Sequence, residues 1–161
     1  MAMTMTGDYV LPADRQKVWN ALNDAETLKA CIPGCESFEK VGDSQFAAVA
    51  TTKIGPVKAR FKGQVTLSDL DPPNGYRISG EGSGGMAGFA KGGAVVRLEE
   101  ADGGTRLVYD VEAQVGGKLA QIGQRLINSA AKKIADDFFA RFAKALDPDA
   151  QTPATQTAGE A

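Results

Sequence analysis

The sequence predicts an α+β domain in which a curved antiparallel sheet of about seven strands packs against one long C-terminal helix. Two patterns support this prediction. Apolar and polar residues alternate over much of residues 36–115, with the period of two that is typical of strands. From residue 117 to 146, apolar residues recur every three or four positions and predict a single amphipathic helix. A helix cannot bury such a stripe on itself, so a sheet must cover it.

One strand and two short helices are predicted at the N-terminal side. Residues 4–11 alternate as a strand, and Pro12 stands where proline is tolerated at the start of a helix. Residues 15–23 place Val18, Trp19 and Leu22 on one side of a first helix. Residues 25–31 predict a second helical turn, because Pro33-Gly34 prevents its continuation.

The strands that follow are joined by short turns. Residues 46–54 alternate with a period of two, and the Gly55-Pro56 turn leads into the clearest strand, residues 57–67. Further strands are predicted near Tyr76, Ala94 and Thr105. Short connections between consecutive strands favour antiparallel pairing, and the final helix favours a sheet that curves around it.

Two sets of residues would face each other in this fold. The helical stripe comprises Leu119, Ile122, Leu126, Ala130, Ile134, Phe138, Phe142 and Leu146. The inferred inner faces of the strands carry Ala48, Ala50, Ala59, Gly63, Ala94 and Ala113. Such small residues either let the helix pack closely or leave room for a bound molecule, and we favour the second interpretation. Larger residues at Ala113 or Gly63 are then expected to fill the space while the fold survives.

The composition excludes several classes of function. With 18 basic and 20 acidic residues, the chain gives no general basis for nucleic-acid binding. Histidine is absent, which removes Ser-His-Asp and Cys-His catalysis, His-containing metal sites and the commonest general acid or base near neutral pH. An enzyme could still use carboxylates, lysine or tyrosine, but we predict no catalytic residues and no metal ligands.

The expected compartment rests on two further features of the sequence. It has no apolar run of about 18 residues that could span a bilayer, and residues 1–8 lack a basic segment followed by an apolar one. A cytoplasmic protein is therefore expected, with Cys31 and Cys35 reduced. We interpret these cysteines as small packing residues, because Pro33-Gly34 separates them and no other soft metal ligand accompanies them.

Residues 80–93 contain seven glycines in fourteen positions. Their first part matches the dinucleotide-binding pattern G-x-G-x-x-G, but the segment continues into a strand rather than a helix, so we regard the match as accidental. We interpret the segment as two strand ends and a mobile connection, since glycine lowers the cost of bending. Met86 and Phe89 either fold back onto the core or act at the surface, where they would gate a cavity or touch a membrane. The sequence leaves these alternatives open.

Two sets of polar residues, Tyr109 and Asp136-Asp137, are interpreted separately. Tyr109 is predicted to face inward, and its buried hydroxyl needs a partner that protein, water or a ligand could supply. Asp136-Asp137 is interpreted as a site of surface ion pairing, because Asp137 lies four residues from both Lys133 and Arg141 on the helix.

Several separated motifs resemble one protein family. They are Cys31-Ile-Pro-Gly-Cys35 within residues 28–36, the glycine-rich run at 84–93, Tyr109, and residues 115–127. Together they resemble the CoxG family, the CoxG-like accessory proteins of carbon monoxide dehydrogenase within the SRPBCC or START-like superfamily. The resemblance implies the helix-grip fold, with an apolar cavity between sheet and helix. It also implies association with molybdenum-containing carbon monoxide dehydrogenases and related hydroxylases, which the family is thought to help recruit to the membrane.

The residues and the resemblance together predict a non-catalytic carrier of a hydrophobic ligand. A respiratory quinone is the most sensible ligand, since the implied partner is a redox enzyme whose electrons must reach the membrane. Residues 1–147 would form the ligand-binding domain and residues 148–161 a disordered polar tail. No covalent cofactor is expected. The predicted ligand-binding residues are Ala50, Phe61, Gly63, Phe89, Ala94, Tyr109, Ala113, Leu119, Ile122 and Leu126, and the predicted gate or membrane contact is Met86 with Phe89.

Two other interpretations are kept. The protein would be a ligand-free adaptor that holds the dehydrogenase at the inner face of the cytoplasmic membrane, or a cyclase or hydrolase on the same fold. The enzyme would need an inward polar pair, for which the sequence offers only Tyr109 and Thr52.

Overall fold

The computed structural model describes residues 2–147, so the predicted polar tail at 148–161 lies outside the described residues. In chain order the elements are β1 (Ala2–Leu11), α1 (Arg15–Leu22), α2 (Ala25–Cys31), β2 (Cys35–Gly42), β3 (Gln45–Ile54), β4 (Val57–Asp71), β5 (Gly75–Ser83), β6 (Phe89–Ala101), β7 (Gly104–Gly116), α3 (Lys118–Gln121) and α4 (Gln124–Leu146). A short 3₁₀ turn, Gly85–Ala87, connects β5 to β6. The predicted glycine-rich connection is therefore shorter than residues 80–93, most of which belong to the two strands.

The seven strands form one antiparallel sheet in the order β1-β7-β6-β5-β4-β3-β2. β1 pairs with the last strand, so that Leu11 lies opposite Thr105. The remaining strands are neighbours in sequence, as short turns require. The long final helix packs on one face of this sheet, which confirms the predicted fold class.

The register places the small residues on the face that the helices cover. Ala50 pairs with Phe61, Gly63 pairs with Gly82, and Ala94 pairs with Val111. Cross-strand partners share a face of the sheet. The predicted alternation of inward and outward residues is therefore confirmed for β3, β4, β6 and β7.

The first two helices begin at aspartates. Asp14 accepts a hydrogen bond from the backbone N–H of Lys17 at 2.9 Å, and Asp24 accepts one from Thr27 at 3.3 Å. These carboxylates satisfy backbone donors that the first turn of a helix leaves free. Both short helices lie under the sheet beside the end of α4.

The predicted uninterrupted helix over residues 117–146 is wrong. Gly123 has φ +97°, a left-handed conformation that ends α3 and lets α4 begin with a new phase. The buried face of α4 therefore differs from the predicted stripe, and Leu126 and Ile134 are 47% and 38% exposed. The buried residues of α4 are Ile127, Phe139, Phe142, Ala143 and Leu146.

The two ends of the domain differ in packing. The antiparallel topology brings the β3–β4 turn, the β5–β6 turn, α3 and the first turn of α4 to one end, which we call the open end. The closed end consists of α1, the β6–β7 turn and residues 138–146 of α4. The larger hydrophobic core lies toward the closed end, where Trp19 and Phe142 belong to one cluster. A smaller core at the open end is built around Leu119 and Ile127.

Candidate ligand-binding cavity

An apolar cavity of about 250 Å³ lies between the sheet and α4. Its walls come from β1, the sheet centre, α1, α2 and the middle of α4, and none of these lining residues is charged. The lining residues are Met5, Leu22, Leu28, Ile32, Phe38, Phe46, Val65, Leu67, Tyr76, Ile78, Ala94, Val96, Leu107, Tyr109, Val111, Ala135, Phe138 and Phe139. The cavity thus lies beside the larger core.

A more open groove of about 410 Å³ extends along the inner face of β3 to β7. Its inward side chains are small, for example Ala48, Gly80 and Ala90. The groove and the cavity share Val65, Ile78, Ala94 and Val111, so they adjoin at the centre of the sheet. The small residues were expected either to let the helix pack closely or to leave open space. The structure has open space over them.

Six of the ten predicted ligand-binding residues line this space. Ala50, Phe61, Gly63, Ala94 and Ala113 line the groove, and Tyr109 and Ala94 line the cavity. Whether they bind a ligand stays a prediction.

The three predicted residues of the final helices occupy other places. Leu119 is buried in the smaller core and does not line the cavity or the groove. Ile122 and Leu126 lie beside the β3–β4 turn, since a Cβ placed at Gly55 would be 3.8 Å and 3.6 Å from their Cδ1 atoms. The helix break at Gly123 separates Leu119 and Ile122 from Leu126, so the three do not form one continuous stripe.

Phe89 also lies outside the cavity. It is the outward residue at the start of β6, opposite Ser83 and Gly116. Its ring lies over Gly116, where a Cβ would come within 2.2 Å of the ring, and it lines a shallow outer hollow with Lys62 and Lys91. Its assignment as a cavity residue is therefore corrected. Met86 is 83% exposed, so it does not fold back onto the core.

Gly63 is required by the backbone as well as by the groove. A Cβ at this position would lie 2.2 Å from the carbonyl oxygen of Glu81 on β5, a distance that the strands cannot accommodate without moving apart. A larger residue at Gly63 would therefore strain the pairing of β4 with β5, and the survival of the fold that we expect for this substitution stays a prediction. Ala113 already carries a Cβ, so the same objection does not apply there.

A polar cluster lies at the β1 side of the cavity. The Tyr9 hydroxyl donates to Asp136, whose second carboxylate oxygen accepts a hydrogen bond from Lys132 Nζ at 2.9 Å. Tyr109 stacks near Tyr9, with ring centroids 6.2 Å apart, and its hydroxyl interacts with the hydroxyl of Tyr9. The open question about Tyr109 is thus answered by a protein partner.

The electrostatics of this cluster follow from burial and hydrogen bonding. Burial, and then the bond to Asp136, raises the pKa of Tyr9. Burial likewise raises the pKa of Tyr109. For Asp136, partial burial acts to raise the pKa, but the hydrogen bonds from Tyr9 and Lys132 outweigh it, and the pKa is lowered. These three groups therefore stay as two neutral phenols and a carboxylate near neutral pH.

The interpretation of Asp136-Asp137 needs a partial correction. Asp137 pairs with Lys133 at 3.0 Å, as the spacing predicts. Asp136 makes an equivalent pair with Lys132, but it also anchors Tyr9, 127 residues away in sequence. Only the fold brings these two side chains together.

The cysteines show no sign of a reactive or metal site. Burial raises the pKa of Cys31 and of Cys35, which favours the unreactive thiol. Within residues 2–147, no group of three or more His, Cys, Asp or Glu side chains is placed to hold a metal ion. Across the same residues, no helix is long and apolar enough to cross a membrane.

The size of the cavity has an energetic meaning. Core-truncation data, at about 24 cal/mol per Å³, assign a cost of about 6 kcal/mol to an empty apolar cavity of this volume when extended linearly. The stability of a whole domain is about 5–15 kcal/mol. A bound apolar molecule would remove much of this cost.

Sequence comparison decides the family. The family model that matches residues 7–147 is that of CoxG, described as a subunit of carbon monoxide dehydrogenase. The chain belongs to the CoxG family. The family's name associates its members with carbon monoxide dehydrogenase. No curated protein matches the sequence.

Solved structures of similar fold include one with 31% sequence identity to this CoxG-family chain. It is a conserved protein from Geobacillus kaustophilus, with a TM-score of 0.86, and the match covers 96% of this chain and all of that one (100%). Ara h 8.0201 has 17% identity and a TM-score of 0.64 over 92% of this chain and 100% of its own. The Zhui aromatase/cyclase from Streptomyces sp. R1128 has 12% identity and a TM-score of 0.66 over 91% and 94%. At these identities the last two show a shared fold alone.

Proposed function

We propose that this CoxG-family protein is a non-catalytic accessory protein of a molybdenum hydroxylase of the carbon monoxide dehydrogenase type. It carries a hydrophobic ligand, a respiratory quinone, and links the enzyme to the membrane. Residues 1–147 act as the ligand-binding domain, with no cofactor of their own. The observation that carries the proposal is the apolar cavity, which has no charged residue in its wall and adjoins a groove of small residues.

The state of the polar groups near the cavity supports a binding role. Two charged groups that act on Tyr109, Lys132 and Asp136, are paired with each other. Thr52, the second candidate for an inward polar pair, is half-buried and lines neither the cavity nor the groove. An apolar wall with few polar groups is the usual design of a site that binds a hydrophobic molecule.

The open end supports contact with a membrane surface. Met86, at the tip of the β5–β6 turn, is the most exposed of the large apolar residues, and Leu126 is exposed on the neighbouring first turn of α4. Basic residues surround this end: Lys53, Lys58, Lys118 and Arg125. Exposed apolar side chains within a basic surface are typical of reversible binding to anionic lipids.

The first experiment is native mass spectrometry of the protein purified from its own host, followed by organic extraction of any bound molecule. A quinone at one molecule per chain would support the carrier function. An empty protein that also fails to bind added quinone would contradict it and favour the ligand-free adaptor.

A matched pair of variants tests where the ligand lies. Ala94→Phe fills the junction of cavity and groove, whereas Val95→Phe places the same side chain on the outer face of the same strand. We expect Ala94→Phe to weaken quinone binding at least tenfold and Val95→Phe to leave it within twofold. Equal affinities in the two folded variants would contradict binding at this site.

The membrane link has its own test. We expect Met86→Asp to reduce co-sedimentation with vesicles that contain anionic lipid, because a carboxylate replaces the apolar tip of the open end. Val41→Asp is the control, since Val41 is also exposed but lies near the β2–β3 turn at the opposite end. Equal sedimentation of both variants would contradict docking through the open end. Full sedimentation of a ligand-free protein with both dehydrogenase and vesicles would favour the adaptor.

A further inference from the structure

Tyr76 is a buried tyrosine that the sequence pattern did not single out. It lies on β5 with its side chain toward the helices, lines the cavity and is only 7% exposed. Its ring meets the Trp19 ring edge-on, with centroids 5.4 Å apart. Trp19 and β5 therefore fix the direction of the ring.

The hydroxyl of Tyr76 differs from those of the other two tyrosines. Tyr9 donates to Asp136, and the hydroxyl of Tyr109 interacts with that of Tyr9. For Tyr76, no hydrogen bond to any other described residue is found. Burial alone raises its pKa, without a contribution from a neighbouring group. A buried polar group without a partner costs free energy that a hydrogen bond would recover.

This hydroxyl keeps contact with open space. Among the described residues, no side-chain oxygen or nitrogen is both fully buried and without a hydrogen-bond partner. The open space that Tyr76 lines is the cavity, so its unpartnered hydroxyl is available to a molecule that occupies it.

We propose that the Tyr76 hydroxyl is the hydrogen-bonding anchor for the oxygen-bearing head of the ligand. This inference rests on the carrier function and adds the orientation of the ligand. The head lies toward the closed end, beside Trp19, and the apolar body runs along the small-residue groove. The anchor thus selects a molecule with a polar head over a pure hydrocarbon.

The head is neutral. A hydroxyl donates to a carbonyl oxygen and accepts from an alcohol or phenol, so either group satisfies it. A carboxylate would be buried among uncharged lining residues, where no lysine or arginine faces it. The ligand class is therefore an apolar molecule with a carbonyl or hydroxyl oxygen at one end, and ionised fatty acids are excluded.

Across the sheet, Tyr76 and Tyr109 lie at one level. Tyr76 pairs with Val96, and Val96 pairs with Tyr109, so the two tyrosines are two strands apart, about 10 Å between Cα atoms. Tyr109 already has a protein partner, whereas Tyr76 has none. This difference assigns the anchor to Tyr76.

The test compares two probes of nearly the same shape on the full chain: 2-acetylnaphthalene, which carries a carbonyl, and 2-ethylnaphthalene, which does not. We expect Tyr76→Phe to weaken binding of 2-acetylnaphthalene about tenfold, the loss of one buried hydrogen bond. Binding of 2-ethylnaphthalene should stay within twofold. Ser79→Ala, which removes a hydroxyl on the outer face of the same strand, should not change the ratio of the two affinities.

Two readouts separate an anchor from a structural role. The melting temperature of ligand-free Tyr76→Phe should equal or exceed that of the wild type, because an unpartnered hydroxyl is removed. In the wild type, the carbonyl stretch of bound 2-acetylnaphthalene should lie at the lower frequency of a hydrogen-bonded ketone, which needs no variant to fold. A frequency typical of an apolar solvent would overturn the anchor.

The outcomes also separate this inference from the carrier function. Binding of both probes, with an unchanged affinity ratio in Tyr76→Phe, would overturn the anchor and leave the carrier function standing. Failure of both probes to bind the wild type would overturn both proposals. Tight binding of 2-naphthoate would overturn the neutral head.

Discussion

The two halves of α4 show how one helix serves two purposes. Toward the closed end, Phe139, Phe142 and Leu146 are buried in the larger core, together with side chains of α1. Toward the open end, Leu126 and Ile134 remain exposed although they are as apolar as their counterparts. The apolar character of a side chain in this helix therefore does not by itself show whether that side chain is buried. The closed half is packed into the larger core, whereas the open half buries Ile127 in the smaller core and leaves Leu126 and Ile134 at the surface.

Truncation at the closed end should have the largest effect. Phe142 is fully buried, at 0% exposure, so Phe142→Ala would leave a cavity in the core and lower the free energy of unfolding by about 3–5 kcal/mol. Urea denaturation followed by circular dichroism measures this change. A loss under about 1 kcal/mol would show that the two halves do not differ as described.

The two facing glycines of β4 and β5 give a closer comparison within the groove. Gly63→Ala should destabilise the domain by about 1–3 kcal/mol, because its Cβ would meet the Glu81 carbonyl oxygen at 2.2 Å. Gly82→Ala, at its cross-strand partner, meets the nearest atom at 3.5 Å and should be nearly neutral. Thermal unfolding of both variants compares them directly, and equal losses would contradict the role assigned to Gly63.

Asp136, near the middle of α4, predicts a pH dependence. Its pKa is lowered by folding, so its contribution to stability is complete above the unfolded value, 3.8, and is lost as the pH falls through the lower folded value. Asp136→Asn should cost about 1 kcal/mol or less at pH 7, since the carboxylate is partly exposed. The variant should also lose less stability than the wild type as the pH falls below 3.8.

Urea titrations at several pH values measure this effect, with Asp137→Asn as the control. Asp137 pairs with Lys133 but does not bind a tyrosine. The same dependence of stability on pH in both variants would contradict the stabilising role of the bond between Asp136 and Tyr9.

Truncation at the open end should have the smallest effect. Leu126→Ala removes an exposed side chain and should change the free energy of unfolding by no more than about 0.5 kcal/mol. The same urea denaturation measures it. A loss comparable to that of Phe142→Ala would mean that the open half also supports the fold.

The fold was predictable because each of its strands and helices is indicated by a pattern of residues close together in the sequence. The alternation in residues 57–67 placed Phe61 and Gly63 inward, and the register confirms it. The family resemblance is confirmed by the match over residues 7–147. Helical periodicity wrongly predicted one helix across Gly123. The spacing of apolar residues does not reveal a single residue in the left-handed conformation, which ends one helix and starts the next.

The site was less predictable because it depends on contacts between distant segments. Tyr76 looks like any strand residue, and its missing hydrogen bond is visible only once Trp19 and the cavity wall are in place. The bond between Tyr9 and Asp136 joins the first strand to the last helix. Phe89 was placed on the wrong face of β6, since Gly88 before it and Gly92 and Gly93 after it do not indicate which residues face inward.

The pairing of β1 with β7 has a consequence for synthesis of the chain. Leu11 pairs with Thr105, and Ala2 pairs with Gln114. The first strand therefore cannot form its hydrogen bonds in the sheet until the seventh strand has left the ribosome. Closing such a long loop carries an entropic cost before any contact is gained, which slows folding. The domain is therefore expected to complete its sheet only late in translation. The strand that is synthesised first, β1, would be the last to join the sheet, at the edge of β7.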